Sequence, residues 1–461
     1  MSTANLLSGR PGAARQRLFF VLPRFPSTYL LAAYLFFLFA AATQPLSFLR
    51  NGRWIALAAM LLYWLLFSRP TRNSGRHAGK SLNAVAVAYL LACCASAVVG
   101  ICPYMSACKL VSFSALLVAC MILARERARP EEAREWVRIT LVILLIAGPA
   151  VAIAPSKAKP TDQAILFRGA AGDANTMGHV TSLALLALIL IRERLGPNHP
   201  LRALSLVALI VLGGLLLATK ARSSAFSVAV GLYFALAYLP RLRHTLVGVV
   251  ILGTIALVAV GNLEDTVKGF IFKARVSSLA VDEERGGLEN AWGRIFATRI
   301  PQWERAWQAF WKRPMLGWGF GASETTPPEW KFSFQAIGRL EEVNNDFLQV
   351  AEGVGFIGLV FHVALILMVL IQGRPPRGCK NFEWIAVYCL SWALWANFML
   401  DGASQAIGFL TAGLLWILLS LTACPALQEG YPAQPLGTRI PSGAPGPARP
   451  NGPVSGPPRP R

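Results

Sequence analysis

The sequence predicts an all-α membrane protein with about twelve transmembrane helices and one large external loop that contains amphipathic helices. The chain of 461 residues is 55% hydrophobic and has a mean hydropathy of +0.49. Most of its apolar runs are long enough to cross a hydrocarbon core of about 30 Å at about 1.5 Å per residue. Basic residues gather in alternate connections between these runs. This composition leaves no room for a large soluble enzyme domain.

Twelve apolar runs are interpreted as membrane spans. They lie near residues 28–48, 53–67, 82–101, 106–124, 137–154, 175–191, 203–219, 223–239, 244–261, 348–372, 383–399 and 403–424. The run at 53–67 is short for a full crossing. Arg53 and Arg69 at its flanks can snorkel to the interfaces, however. Trp54 and Trp64 also suit those positions, and keeping this run preserves the alternation of basic connections.

The distribution of Lys and Arg orients the spans. With a cytoplasmic N-terminus, every inner connection is basic, as the positive-inside rule requires. These connections lie around residues 10–24, 69–80, 125–138, 192–202, 241–243 and 374–380. The same orientation puts the long polar connection outside. We therefore expect helices at 1–261, a periplasmic loop domain at 262–347, helices at 348–428 and a disordered, Pro/Gly/Arg-rich cytoplasmic tail at 429–461.

The net charge of +21 would suggest a nucleic-acid partner in a soluble protein. Here topology and contact with anionic membrane lipids explain most of the inner charge, so no nucleic acid is expected. The basic N-terminal stretch precedes an apolar run that is too long for a signal-peptide core. The Cys residues lack the close spacing of a zinc site and the His residues are scattered singly, so we expect no metal and no cofactor.

The first external polar group precedes the run at 175–191. Arg168 is followed by a Gly/Ala-rich stretch and then by Asp173, Asn175 and Gly178. Flexible backbone, an arginine and a helix N-terminus suit an anion. An ordinary loop capped by Asp173 or Asn175 would give the same pattern, and both interpretations stay open.

Two further cations lie in the sharp outer turn at 219–224. Lys220 and Arg222 depart from the charge bias of the other tight connections. The flanking helices hold them close to the outer bilayer surface, where they need an anionic partner. That partner is either a substrate or a lipid phosphate headgroup.

The external loop contains a predicted amphipathic helix, near Arg294 and Arg299. Four rings occur at helical spacing: Trp303, Trp307, Phe310 and Trp311. They share one face, so we expect this helix to lie in the membrane interface. A Gly-rich turn follows at 317–321, but no strand precedes it and it does not indicate a dinucleotide fold.

Acidic and amide residues close the loop before the run at 348–372. They are Glu341, Glu342, Asn344, Asn345 and Asp346. Such a cluster caps a helix N-terminus well. A carboxylate at the membrane rim could also orient or deprotonate a hydroxyl group. Asp401, beyond the run at 383–399, is either another polar contact or a cap for the last helix.

Four segments carry a resemblance to a known family. They are RGAAGDANTMG at 168–178, KARSS at 220–224, RIPQWERAWQAFWKRPMLGWGFG at 299–321 and NNDFLQVAEGVGFIG at 344–358. Together they resemble the O-antigen ligase and O-antigen polymerase superfamily of bacterial inner membranes, over about 165–425. The Arg-x-x-x-Trp…Arg-Pro-x-x-Gly-x-Gly pattern from Arg299 is the most specific part, whereas Lys-Ala-Arg-Ser alone is weak.

The resemblance implies a GT-C-like architecture and glycan transfer. Members move a glycan from undecaprenyl diphosphate to an acceptor hydroxyl at the periplasmic face, without a nucleotide donor or a metal. By resemblance, Arg222 and Arg299 would bind the diphosphate, whose negative charge grows as the glycosidic C–O bond breaks. Further substrate-binding candidates are Arg168, Lys220, Asn175, Arg294, Asn345 and Asp401.

One departure from the family concerns the general base. The family motif reads His-Asn-x-x-Leu, but this chain has Asn344 in place of the histidine. An asparagine does not accept a proton at neutral pH. Either Glu342 or Asp346 has taken over, or leaving-group stabilisation dominates while Asn344 positions the acceptor, or the chain is impaired. The external loop contains no histidine that could substitute.

The sequence leaves several functions open, which differ in the acceptor or in the functional class. A ligase would use a lipid A core sugar, and a polymerase would use another lipid-linked repeat. The single large external loop favours the ligase. A lipid-glycan transporter would require ionisable residues deep within spans and repeated halves, which the sequence does not indicate. A non-enzymatic scaffold would require that Arg222 and Arg299 be dispensable.

Overall fold

The computed structural model describes residues 23–67, 77–124, 129–153, 174–195, 199–219, 221–243, 299–322, 345–401 and 410–428. Their helices are α1 (Pro26–Ala42), a 3-10 helix (Gln44–Leu49), α2 (Gly52–Phe67), α3 (His77–Val99), α4 (Pro103–Leu123), α5 (Pro130–Ile153), α6 (Ala174–Arg194), α7 (Leu201–Thr219), α8 (Arg222–Tyr238), α9 (Ile300–Lys312), α10 (Asp346–Gln372), α11 (Phe382–Asp401), α12 (Leu410–Thr422) and α13 (Pro425–Gln428). No strand occurs in these ranges, so the all-α class is confirmed for this part of the chain.

Several of these helices are suited to a membrane. By length and composition alone, five could cross one: Ser81–Val99, Pro103–Leu123, Asn175–Arg194, Leu201–Thr219 and Asp346–Gln372, of which the last is divided by a break at Gly355. Three shorter apolar helices are α1, α2 and α12. The protein is thus a multi-pass membrane protein, whereas the expected total of about twelve spans stays a prediction. The run at 244–261 and most of the loop at 262–347 lie outside the described residues.

The helices differ in depth within the bundle. In α6, Val180, Leu183 and Ala187 are buried, because this helix packs against α5, α7, α8 and α11. In α7, Leu204 and Ile210 are exposed. Exposed aliphatic side chains of this kind are compatible with lipid acyl chains, so α6 is central and α7 peripheral.

α8 packs along α11, and the two helices are antiparallel. The Phe234 ring stacks on Trp392 with centroids 4.3 Å apart. One turn further along α8, the Tyr238 ring lies 6.0 Å from that of Tyr388, which is one turn earlier in α11. In this register the first residue of α8, Arg222, lies at the C-terminal end of α11.

α10 is not a straight helix, because the chain folds back at Gly355. Gly355 has φ 77° and ψ −172°, and Asp346 Oδ2 lies 2.7 Å from His362 Nε2, 16 residues along the chain. An unbroken helix would separate those two backbones by about 24 Å, beyond the reach of both side chains. α10 therefore has a first arm, residues 346–354, and a second arm, residues 356–372. The straight span predicted at 348–372 is corrected accordingly.

Candidate functional site

Arg222 begins α8 directly after the tight turn from α7. The Thr219 hydroxyl donates to Leu216 O at 2.7 Å and accepts from Ala221 N at 3.3 Å. Gly178 of α6 lies against this turn, and a Cβ atom there would be 2.4 Å from Ala221 Cβ. Glycine at this position therefore permits close packing of α6 against the turn. Arg222 is fixed at a well-packed corner of the bundle.

Arg299 lies near Arg222 although the two are far apart in sequence. It occupies the N-cap position of α9, and both arginines are half-buried. Burial lowers the pKa of Arg222, and the positive charge of Arg299 lowers it further. Two like charges in one place repel each other, and an anion between them offsets that repulsion. Guanidinium groups also bind phosphate oxygens in pairs, so this arginine pair suits a diphosphate.

α9 follows Arg299, and only one face of this helix packs against the rest of the protein. Phe310 is buried together with the small residues Ala306 and Ala309, whereas Trp307 and Trp311 are 50% and 61% exposed. The prediction that all four rings form one membrane-facing surface is therefore wrong for Phe310. The contact of the exposed tryptophans with the membrane interface stays a prediction.

A segment that we call the clamp, residues 313–319, joins α9 to the fold-back of α10. Trp318 Nε1 donates to Ala309 O at 2.8 Å. The Arg313 guanidinium lies over the Trp318 ring, 4.5 Å from its centroid, and Nη1 donates to Val99 O at 3.3 Å. These contacts connect α9 with α3 and hold the helix that begins at the arginine pair.

The Gly-rich part of the clamp binds backbone rather than an anion. Trp318 N donates to Glu352 O and Gly319 N to Gly353 O, both at 2.9 Å. Gly317 N donates to Arg313 O at 3.1 Å. Because these N–H groups already have acceptors, this Gly-x-Gly-x-Gly string does not form a phosphate cradle, in agreement with the sequence-based interpretation.

The clamp also explains the glycine at the fold-back. Phe356 N donates to Pro314 O at 2.7 Å, so the clamp and the fold-back are in backbone contact. A Cβ atom at Gly355 would lie 2.3 Å from Met315 O. Positive φ and this close approach both require glycine.

Asn345 and Asp346 fix the N-terminus of the first arm. Asn345 Oδ1 accepts from Leu348 N at 3.0 Å, which makes it the N-cap. Asn345 Nδ2 donates to Met399 O of α11 at 2.9 Å. The Asp346 carboxylate is buried and hydrogen-bonded to His362. The start of this arm and Arg222 therefore share one end of the bundle, the C-terminal end of α11.

His362 is the residue that sequence reasoning missed. It is a single histidine within an apolar run and belongs to no recognisable sequence motif. The fold-back brings it to Asp346, and the Tyr89 and Trp416 rings pack beside it at 5.3 Å and 6.1 Å. The available signal was the pair of glycines at 353 and 355, since glycines inside a long apolar run permit a sharp break.

The first arm carries polar side chains into the protein. Asp346, Gln349 and Glu352 recur at every third residue and are only 1–2% exposed. Within the described residues, three of their side-chain atoms have no hydrogen-bond partner: Nε2 and Oε1 of Gln349 and Oε2 of Glu352. Ionisable groups therefore do lie within the predicted run at 348–372, contrary to the argument made from sequence against a transporter.

The remaining candidates are distributed as follows. Asn175 is half-buried in the first turn of α6, and Asp401 is the last residue of α11. The others lie outside the described residues: Arg168, Lys220, Arg294, Glu342 and Asn344. Over the part of the chain that the structure covers, no three His, Cys, Asp or Glu side chains are grouped so as to hold a metal ion.

Comparison with known families decides the relationship. Residues 206–363 match the family model described as Wzy_C, O-antigen ligase. This part of the chain is therefore similar to O-antigen ligases. The match covers about a third of the chain and confirms the resemblance to the O-antigen ligase and polymerase superfamily. No curated protein matches the chain.

The matched segment contains most of the residues of the site just described. It begins in α7, includes Arg222, Arg299 and the clamp, and ends one residue after His362. Enzymes of this family transfer glycans in the synthesis of lipopolysaccharide and other polysaccharides. They act at membranes on lipid-linked glycans.

Proposed function

We propose that this protein is an O-antigen ligase. It transfers a glycan from undecaprenyl diphosphate to a hydroxyl of a lipid A core sugar, at the periplasmic face of the bacterial inner membrane. The transfer inverts the anomeric carbon and needs no metal. The observation that carries this proposal is the pair of like-charged residues Arg222 and Arg299 within an O-antigen ligase domain.

The arginine pair would stabilise the leaving group. The acceptor oxygen attacks the anomeric carbon while the bond from that carbon to the diphosphate oxygen breaks. Undecaprenyl diphosphate leaves with the bonding electrons, and its new negative charge develops between Arg222 and Arg299. Their interaction is therefore stronger in the transition state than with the bound donor, which lowers the barrier. Arg168, Lys220 and Arg294 would extend this positive surface.

The acceptor hydroxyl must lose its proton to a base. Glu342 is the preferred carboxylate, because Asp346 is buried against His362. Asn344 would orient the acceptor, since an amide hydrogen-bonds a hydroxyl without taking its proton. Asn175 and Asp401, at the same end of the bundle, would contact the sugars, and Asn345 would contribute by fixing the arm.

The family match supports a polymerase as well as a ligase. The test is transfer by the purified full-length chain in nanodiscs, with an undecaprenyl-diphosphate-linked glycan and either lipid A core or a second lipid-linked repeat as acceptor. We expect glycosylated lipid A core, also in the presence of EDTA. Joined repeats as the sole product would establish a polymerase. Donor crossing the bilayer without transfer to either acceptor would favour the transporter and overturn the proposal.

A further inference from the structure

The start of the first arm of α10 is attached to two different helices through adjacent residues. Asn345 Nδ2 donates to Met399 O of α11 at 2.9 Å. Asp346 Oδ2 meets Nε2 of His362, on the second arm, at 2.7 Å. The clamp holds the other end of the arm, at Gly353. The arm is therefore fixed at both ends.

The pair formed by Asp346 and His362 lies in rigid surroundings. The side chains of His362 and Asp346 are 0% and 2% exposed. The His362 ring packs between Tyr89 of α3 and Trp416 of α12. A hydrogen bond in such a place is strong, because water does not compete for either partner. The second arm thus determines where Asp346 lies.

This placement bears on the acceptor side of the proposed site. Glu342 and Asn344 lie three residues and one residue before Asn345 in the sequence. The C-terminal end of α11 lies beside Asn345, and the α8–α11 register brings Arg222 to that same end. Fixing the arm therefore fixes the chain at Asn345, the residue that follows these two acceptor-side candidates in the sequence.

We propose that Asp346 and His362 are positioning residues of the transfer reaction, whose hydrogen bond keeps the first arm of α10 folded back and aligns the acceptor with the bound lipid diphosphate. This inference rests on the proposed function for its catalytic consequence. Displacement of a reacting group by about 1 Å can cost about a hundredfold in rate. The donor site, formed by Arg222 and Arg299, is on other helices.

Two substitutions at His362 separate the hydrogen bond from packing. His362→Phe keeps a ring between Tyr89 and Trp416 but removes the donor. His362→Gln keeps an N–H group that can reach Asp346 but removes the ring. His199→Phe is the control, because His199 precedes α7 at the opposite end of the bundle.

The experiment measures two quantities on the full-length chain in nanodiscs. Hydrogen exchange of the amides at 346–354 is expected to be about tenfold faster in His362→Phe and to return toward the wild-type rate in His362→Gln. The kcat with saturating donor is expected to fall by about ten- to a hundredfold in His362→Phe and to recover in His362→Gln. The Kd for undecaprenyl diphosphate should stay within about threefold in both.

The outcomes distinguish this inference from the proposed function. Unchanged exchange in His362→Phe, or no recovery in a folded His362→Gln protein, overturns the role of the hydrogen bond. Faster exchange with unchanged kcat reduces the pair to a structural contact and overturns the positioning role. If the wild-type chain transfers no glycan, the proposed function and the positioning role both fail. The exchange rates still decide in that case whether the bond holds the arm.

Discussion

The two ends of the helix bundle use arginine in opposite ways. Where α11 begins, the buried Glu383 carboxylate accepts from Arg138 at 2.8 Å and lies 3.9 Å from Arg194. This arrangement joins α5, α6 and α11. Where α11 ends, the neighbouring charge that acts on Arg222 is that of another arginine, Arg299.

The difference separates a charge cluster that holds the fold from two like charges at the other end of the bundle. A carboxylate between two arginines lowers the free energy of the folded protein, because each cation gains an opposite charge. Two arginines beside each other contribute a repulsion instead. Such an arrangement is retained where a bound anion offsets the repulsion, which is why perturbed groups gather at functional sites. We therefore expect substitutions at one end to change stability and at the other end to change activity.

The largest effect is expected for Arg222→Ala or Arg299→Ala. Removing one group that stabilises the leaving diphosphate should lower kcat by about 10²- to 10³-fold, or about 2.7–4 kcal/mol. The transfer rate of the purified variants at saturating donor measures this. Arg241→Ala is the control, since Arg241 is exposed beyond the other end of α8. A wild-type rate in Arg222→Ala would contradict the comparison.

Glu383→Ala should lower the stability of the protein and leave its activity unchanged. Loss of the carboxylate leaves Arg138 and Arg194 without this partner, but their side chains are 40% and 43% exposed and are partly screened by water. We expect the free energy of unfolding to fall by about 1–2 kcal/mol, with kcat of the folded protein unchanged. Denaturant unfolding measures the change, and Glu131→Ala, at an exposed residue of the same end, should change it less. A fall in kcat of Glu383→Ala without a fall in stability would contradict the distinction between the two ends of the bundle.

Inorganic pyrophosphate should stabilise the protein at the arginine pair only. At ten times its Kd it should raise the free energy of unfolding by about 1.4 kcal/mol through preferential binding to the folded state. The thermal midpoint in matched ionic strength checks this. The shift should persist in Glu383→Ala and disappear in Arg222→Ala. An equal shift with sodium chloride alone would indicate general salt effects instead.

Arg299→Glu should give the smallest effect on stability, and with the opposite sign. The new carboxylate would lie near Arg222 and at the N-cap of α9, where negative charge is favourable. Relative to Arg299→Ala, we expect the free energy of unfolding to rise by about 0.5–1 kcal/mol while glycan transfer is abolished. Calorimetry of the two variants compares them directly. A less stable Arg299→Glu protein would show that the two side chains are not electrostatic neighbours.

Sequence reasoning located the arginine pair because both residues interrupt a charge bias or belong to a motif. The proximity of Arg222 and Arg299 agrees with that expectation, and their roles stay predictions. The same reasoning found the amphipathic helix after Arg299 but placed Phe310 on its membrane face. Periodicity identifies a helix face within about a third of a turn, and the packing of Ala306 and Ala309 then decides which rings are buried.

The sequence identified the Gly-rich motifs but did not show why they contain glycine. From the sequence, a turn was predicted at Gly317 and Gly319, and Gly355 was part of a family pattern. Their function in the fold is to let the clamp and the fold-back form backbone hydrogen bonds with each other. No local pattern reports this, because the two partners are separate segments and their contact involves main-chain atoms only.

The sequence by itself determined the helical membrane class, the similarity of residues 206–363 to O-antigen ligases and the choice of Arg222 and Arg299. These follow from hydropathy, charge bias and motifs, which are local properties of the chain. Only the tertiary structure decided that α10 folds back at Gly355 and that His362 meets Asp346. Hydropathy records how apolar a run is and not its direction, so a straight span and a folded-back pair of arms have the same composition.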